Sequence, residues 1–172
     1  MLVFQYGSNI SSPRLNHADR LNGDAKAVSI VSTVGNFHLE FNVWSISNNC
    51  AAADIVESED GRPLMGVLYE IPDFLISREA AQPENRKSLD AIENQGVNYD
   101  RRSIRVIMPG GEIKSVITYV VINKRKGFKT SQQYAQHIVD GLKEHGFPQD
   151  YVEYVISTIE QNNKELAGVF KP

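Results

Sequence analysis

Strand-like segments crowd the first 122 residues of this chain, and the two long helix-like segments come only after residue 130. That order excludes regularly alternating βαβ units and predicts an α+β fold: a mixed, mostly antiparallel sheet or small β-barrel with attached helices. Residues 2–6 are β-prone and stop at Gly7, after which Ser12-Pro13 reads as an N-cap followed by a proline at the first helical position. Phe37, Leu39, Phe41 and Val43 alternate with His38, Glu40 and Asn42, the period of a strand with one wet face, which turns His38 to solvent. Residues 64–71 form a further, central strand. Residues 103–108 and 113–122 read as a hairpin around Pro109-Gly110-Gly111-Glu112, with Val116 to Ile122 buried on both faces.

The helices are expected over 131–145, closed by Gly146, and over 148–161, opened by Pro148. Their apolar positions, Tyr134, Ile138 and Leu142, then Tyr151, Val155 and Ile159, recur at helical spacing and should pack on the sheet. The polar span from Asp73 to Asn98 is broken at Pro83, leaving a short helix from 84 to 93. Residues 163–172 read as a weakly structured tail.

A chain of 172 residues fits one domain, 1–172, around one core. With 41% hydrophobic and 23% charged residues it lies far from disordered compositions. A net charge of −3 supplies no field to draw it to nucleic acid or anionic lipid, so neither is expected as a partner. The single Cys50 cannot form an internal disulfide and reads as a buried small residue; no apolar run reaches membrane-spanning length. A cytoplasmic location is the expectation.

Three segments carry possible chemistry. Tyr6-Gly7-Ser8-Asn9 lies between strand and helix, where glycine permits close approach and successive amides make an anion-binding concavity. Taken alone, with one glycine and no lysine following, it reads first as an ordinary strand-to-helix turn. Glu93 ends the short helix, where the helix dipole and partial burial would raise its proton affinity and make it a better base; a solvated glutamate would look the same. Tyr134 lies one turn into a helix that Ser131 opens, facing either a cleft or the core. His17, His38, His137 and His145 form no ligand-like cluster with cysteine, so no metal site is expected.

The order and spacing of these segments resemble the gamma-glutamylcyclotransferase-like superfamily, from about Val3 to about Tyr154. Phe4-Gln5-Tyr6-Gly7-Ser8-Asn9 is similar to the opening Tyr-Gly-Ser-Asn, and Met65-Gly66-Val67-Leu68-Tyr69 to its Gly-Val-hydrophobic-Tyr strand. Leu89-Asp90-Ala91-Ile92-Glu93 resembles the Leu-Asp-x-x-Glu element. Ser131 to Tyr134 and Gly141 to Pro148 resemble the closing helix-turn-helix. Asn94 stands where the family usually has glycine, and Thr130 where it usually has proline.

The resemblance implies an acyl-cyclising enzyme without a cofactor, whose partner is a small gamma-glutamyl compound that loses an amine or amino acid and leaves as 5-oxoproline. Glu93 is then the general base, and Tyr6, Gly7, Ser8, Asn9 and Tyr134 bind substrate. The alternative on the same fold is a non-catalytic small-carboxylate binder or interaction module, favoured if Glu93 is salt-bridged to Arg101 or Arg102.

Overall fold

The computed structural model describes residues 1–80 and 86–172. Six strands, β1 (Leu2–Gln5), β2 (Lys26–Ser45), β3 (Cys50–Glu57), β4 (Arg62–Glu70), β5 (Tyr99–Ile107) and β6 (Ile113–Val121), run in the order β3-β2-β4-β1-β6-β5. A pairing of Ser32 with Ile107 and Thr33 with Val106 joins β2 back to β5 and closes the sheet into a barrel. Every pairing is antiparallel except that of β1 with β6, through Val3 and Ile117. Among the described residues four α-helices attach to it: α1 (Ser12–Leu15), α2 (Leu89–Ile92), α3 (Gln132–His145) and α4 (Gln149–Asn162). The fold is α+β, as the order of segments predicts.

The length of β2 is what makes closure possible. Its 20 residues pair with β3, β4 and β5, and its register shifts between Ala27 and Ser29 and between Ser32 and Asn36 against β4. Such irregularities bend a strand and increase its twist, which a barrel requires. A further shift against β3, between Phe41 and Val43, corrects the expected alternation: Asn42 is buried, not wet, and donates to Asp54 Oδ2 at 2.9 Å. His38 does reach outward, meeting Asp60 at 3.0 Å.

β4 lies between β2 and β1, as a central strand should, and Gly66 lets β1 approach it. A Cβ there would stand 2.4 Å from the Gln5 carbonyl oxygen and 2.5 Å from the Phe4 ring. β6 is less enclosed than its composition suggests. Val116, Thr118, Tyr119 and Val121 are buried, but Ile117 and Val120 are only partly covered and Ile122 is exposed.

Helix α3 begins where Ser131 Oγ accepts from the Tyr134 amide at 3.1 Å and ends at Gly146, whose φ of 71° suits the left-handed cap. Its face of Tyr134, Ala135, Ile138, Val139 and Leu142 is buried, as are Tyr151, Val152, Val155, Ile156 and Ile159 of α4. Gly141 brings α3 against the first loop, since a Cβ would meet the Ser11 amide at 2.6 Å.

Several boundaries differ from the sequence expectations, β5 beginning at Tyr99 and not at 103 among them. Ser11, not Ser12, caps α1. The break at Pro83 and the first residues of the helix expected from 84 lie outside the described residues, and α2 itself begins at Leu89 behind Ser88. The tail expected at 163–172 is instead anchored: Asn163 is buried and donates to the Thr130 carbonyl, a 3-10 turn covers Lys164–Leu166, and Leu166 and Phe170 bury their side chains in the core.

Candidate functional site

Glu93 owes its position to a helix too short to stand alone. Ser88 Oγ accepts from the Ala91 amide at 3.2 Å to open α2, and the Glu93 amide donates to Leu89 O at 2.9 Å to close it. The chain then turns through Asn94 at φ 51° and Gly96 at φ 85°. Asparagine tolerates the left-handed region better than most residues, so Asn94 provides here the turn that glycine would otherwise make.

The opening loop comes up from the other side. Beyond β1, Gly7 leads into a 3-10 turn over Ser8–Ile10. A Cβ on Gly7 would press on Ala53 Cβ at 3.1 Å, which explains why the smallest residue stands there. Asn9 Nδ2 donates to Glu93 Oε1 at 2.6 Å, joining the two segments directly. Asn9 Oδ1 accepts from Arg20 Nη2 at 2.5 Å, so the amide lies between an acid and a guanidinium.

All six residues singled out in the sequence surround one depression. Ser8, Asn9, Glu93 and Tyr134 line a cleft of about 350 Å³, whose wall also includes Arg14, Arg20 and Asn48. Beneath it a recess of about 30 Å³, room for one or two waters, is lined by Tyr6, Gly7, Tyr99 and Tyr119 as well as Glu93. The phenols are well held. Tyr6 donates to Tyr119 O at 2.5 Å, Tyr99 to Ala53 O at 2.7 Å, and the Tyr134 oxygen accepts from the Ala53 amide at 3.1 Å. Burial raises the pKa of Tyr6, Tyr99 and Tyr134, so all three stay protonated at neutral pH.

Burial is also the largest influence on Glu93 and raises its proton affinity; Arg20, the Asn9 hydrogen bond and Arg14 oppose it without cancelling it. The result is a carboxylate more basic than a free glutamate. Its neighbour Asp90 has a different environment. Asp90 Oδ1 accepts from the Tyr119 hydroxyl at 2.6 Å and Oδ2 lies 3.6 Å from Arg101, which makes it a brace beneath α2.

Arg14, Arg20, Asn48, Tyr99 and Tyr119 were not among the candidate site residues of the sequence. Arg14 Nε donates to Ser8 Oγ at 3.0 Å and Nη2 to Asn48 Oδ1 at 2.7 Å, with its guanidinium 5.7 Å from the centre of the Tyr134 ring. No local pattern marks these residues, because each reaches the cleft from a separate loop or strand. Among the described residues no three His, Cys, Asp or Glu side chains converge as a metal would require, and no helix is long and apolar enough to cross a membrane.

The chain belongs to the AIG2-like family: residues 64–155 match it. Solved structures share the fold. A protein described as gamma-glutamyl cyclotransferase is 22% identical, with a TM-score of 0.71, covering 90% of this chain and 85% of that one. The Homo sapiens protein loc79017 is 24% identical, with a TM-score of 0.74 and the same coverage. YkqA from Bacillus subtilis is 19% identical with a TM-score of 0.71, over 94% of this chain but 55% of its own. A comparison with curated proteins finds no match.

Proposed function

We propose that this cleft is the active site of a gamma-glutamyl cyclotransferase-type enzyme that releases 5-oxoproline and a free amine or amino acid from a gamma-glutamyl compound. The observation that carries the reading is the state of Glu93: a half-buried carboxylate of raised proton affinity, held by one hydrogen bond from Asn9 beside an open cleft. Membership of the AIG2-like family and likeness in fold to a protein described as gamma-glutamyl cyclotransferase support it.

In the reaction the substrate's own α-amine attacks its γ-carbonyl carbon. Glu93 takes a proton from that amine as the new C–N bond forms, and the tetrahedral carbon then expels the original amide nitrogen. The proton passes from Glu93 to the leaving amine, which balances the step and restores the carboxylate. Because both reacting groups belong to one molecule, the cleft has mainly to fold the glutamyl chain into attack geometry, and the intramolecular arrangement does the rest. A free glutamate has a pKa of about 4.3 against about 8 for an α-amino group, so raising Glu93 narrows the mismatch between base and amine. The Tyr6-Gly7-Ser8-Asn9 segment is assigned to the substrate α-carboxylate and the developing oxyanion, and Tyr134 to the pocket wall.

A tie between Glu93 and Arg101 or Arg102 would have favoured the alternative of a non-catalytic binder. Those arginines instead pair with Asp90 at 3.6 Å and Asp100 at 2.9 Å. The test is Glu93→Gln, which keeps the shape and removes the base. With a gamma-glutamyl panel and detection of the lactam by mass, turnover should fall about a hundredfold or more. Undiminished 5-oxoproline release would remove Glu93 from the role.

A further inference from the structure

One end of the barrel carries apolar side chains that the core does not use. Trp44, the penultimate residue of β2, is 40% exposed, Ile46 beyond it 86%, Val97 before β5 62%, and Ile122 just after β6 43%. They belong to three loops that hydrogen bonds hold together. Asn98 Nδ2 donates to Trp44 O at 3.3 Å, the Ile122 amide to Asn98 O at 3.0 Å, and the Arg125 amide to Asn42 O at 2.7 Å. The Trp44 ring lies 5.7 Å from that of Phe128, which is only partly buried. Single exposed apolar residues are ordinary, whereas a group of them gathered from separate loops marks a surface that is covered in use.

The loop that joins Ile122 to Phe128 is basic. It reads Lys124-Arg125-Lys126, and Lys129 follows Phe128. Lys124 pairs with buried Asp54, and Lys129 with Glu165 at 3.2 Å. Among the described residues the side chains of Arg125 and Lys126 form no ion pair, so this loop keeps two unopposed, exposed cations. The overall charge of −3 conceals that local reversal of sign. Charges further away than a Debye length of about 8 Å are largely screened, so the loop's own cations govern what it meets. An exposed indole with aliphatic neighbours and flanking basic side chains is the composition of a face that settles between lipid headgroups and acyl chains.

We propose that this face docks the protein on an anionic lipid surface, with Trp44, Ile46, Val97 and Ile122 entering the headgroup layer and Arg125 and Lys126 meeting the lipid anions. Charge decides for a lipid surface over a second copy of the chain. A two-fold dimer formed through this patch sets each basic loop against the same face of its partner, cation facing cation. The proposal stands apart from the reading of Glu93. It has one consequence for the cleft: Ile46 and Asn98 also line it, so docking brings the cleft beside the bilayer.

Trp44 is the only tryptophan, so its fluorescence reports on this face alone. Vesicles of phosphatidylcholine and phosphatidylserine in equal parts should shift its emission to shorter wavelength, and brominated acyl chains in the same vesicles should quench it. Vesicles of phosphatidylcholine alone should bind about tenfold or more weakly, and so should the Arg125→Gln, Lys126→Gln double variant on the mixed vesicles. Ile46→Ser, at a position exposed enough to spare the fold, should weaken binding about fivefold or more through lost apolar burial. Emission unchanged by the mixed vesicles overturns the proposal, as does equal binding to both vesicle types or binding indifferent to Arg125 and Lys126. A shift that grows with protein concentration in the absence of vesicles, with a doubled mass in sedimentation, overturns it in favour of a second copy as the occupant.

Discussion

Asn9 and Glu93, 84 positions apart in the chain, are joined by a hydrogen bond of 2.6 Å that closes the opening loop onto the end of α2. The same amide receives Arg20 on its other oxygen. Glu93 therefore responds to changes in a loop far from it in sequence.

The stability of the fold should reflect the raised pKa of Glu93. Its folded value lies above the ordinary 4.5, so its contribution to stability is fully present below the unfolded value and is lost as pH rises through the folded one. Glu93→Gln, neutral at every pH, should unfold at a temperature equal to or above that of the unmodified protein at pH 7. The gap should close toward pH 4. Thermal melts across that range check it, and a variant that melts lower at pH 7 would contradict the sign.

Activity should rise with pH along an acidic limb set by ionisation of Glu93, displaced upward from that of a free glutamate. Arg20 is the strongest of the groups that favour the charged form. Arg20→Met should accordingly move the limb to still higher pH, a shift read from kcat/KM profiles of both proteins. A limb that moved to lower pH would show that the guanidinium does not stabilise the carboxylate.

Tyr119→Phe removes the hydroxyl that donates to Asp90 at 2.6 Å. Asp90, only 4% exposed, would retain the 3.6 Å contact with Arg101 as its remaining side-chain partner among the described residues. The expected loss is about 1–3 kcal/mol in denaturant unfolding, the cost of leaving a buried acceptor short of a donor. Loss of activity should accompany it, because Asp90 supports the helix that ends in Glu93.

Gly141→Ala puts a methyl group 2.6 Å from the Ser11 amide and 2.7 Å from Ile10 Cγ2. Helix α3 must then withdraw from the loop that carries Asn9, at a cost of about 1–3 kcal/mol. Unfolding measurements check the cost, and the acidic limb reports whether Asn9 has moved relative to Glu93.

The strand and helix order was legible because apolar spacing at Phe37–Val43 and at Tyr134–Leu142 is dictated by burial on one face. Asn42 escaped that logic: a register shift rotates it inward, and the pairing of its amide with Asp54 depends on a neighbouring strand. The anchoring of Leu166 and Phe170 was equally hidden, since Leu166, Ala167, Val169 and Phe170 follow neither a helical nor a strand period and only the first and last are buried in the core. At the site, local features made Glu93 and the Tyr6-Gly7-Ser8-Asn9 segment candidates, and the resemblance joined them. Arg14 and Arg20 were not candidates, because only the fold brings them to the cleft, where Arg20 donates to Asn9 and both favour the charged form of Glu93.

Glu93 rides on a four-residue helix, and Leu75, Ile76 and Leu89 are the buried side chains that pin its segment to the barrel. None of the six strands depends on that segment for its pairing. The proposed base thus sits outside the sheet, on a short turn tied to it by buried Leu89 and by the hydrogen bond from Tyr119 to Asp90, so substitutions at those two anchors reach the chemistry through the fold.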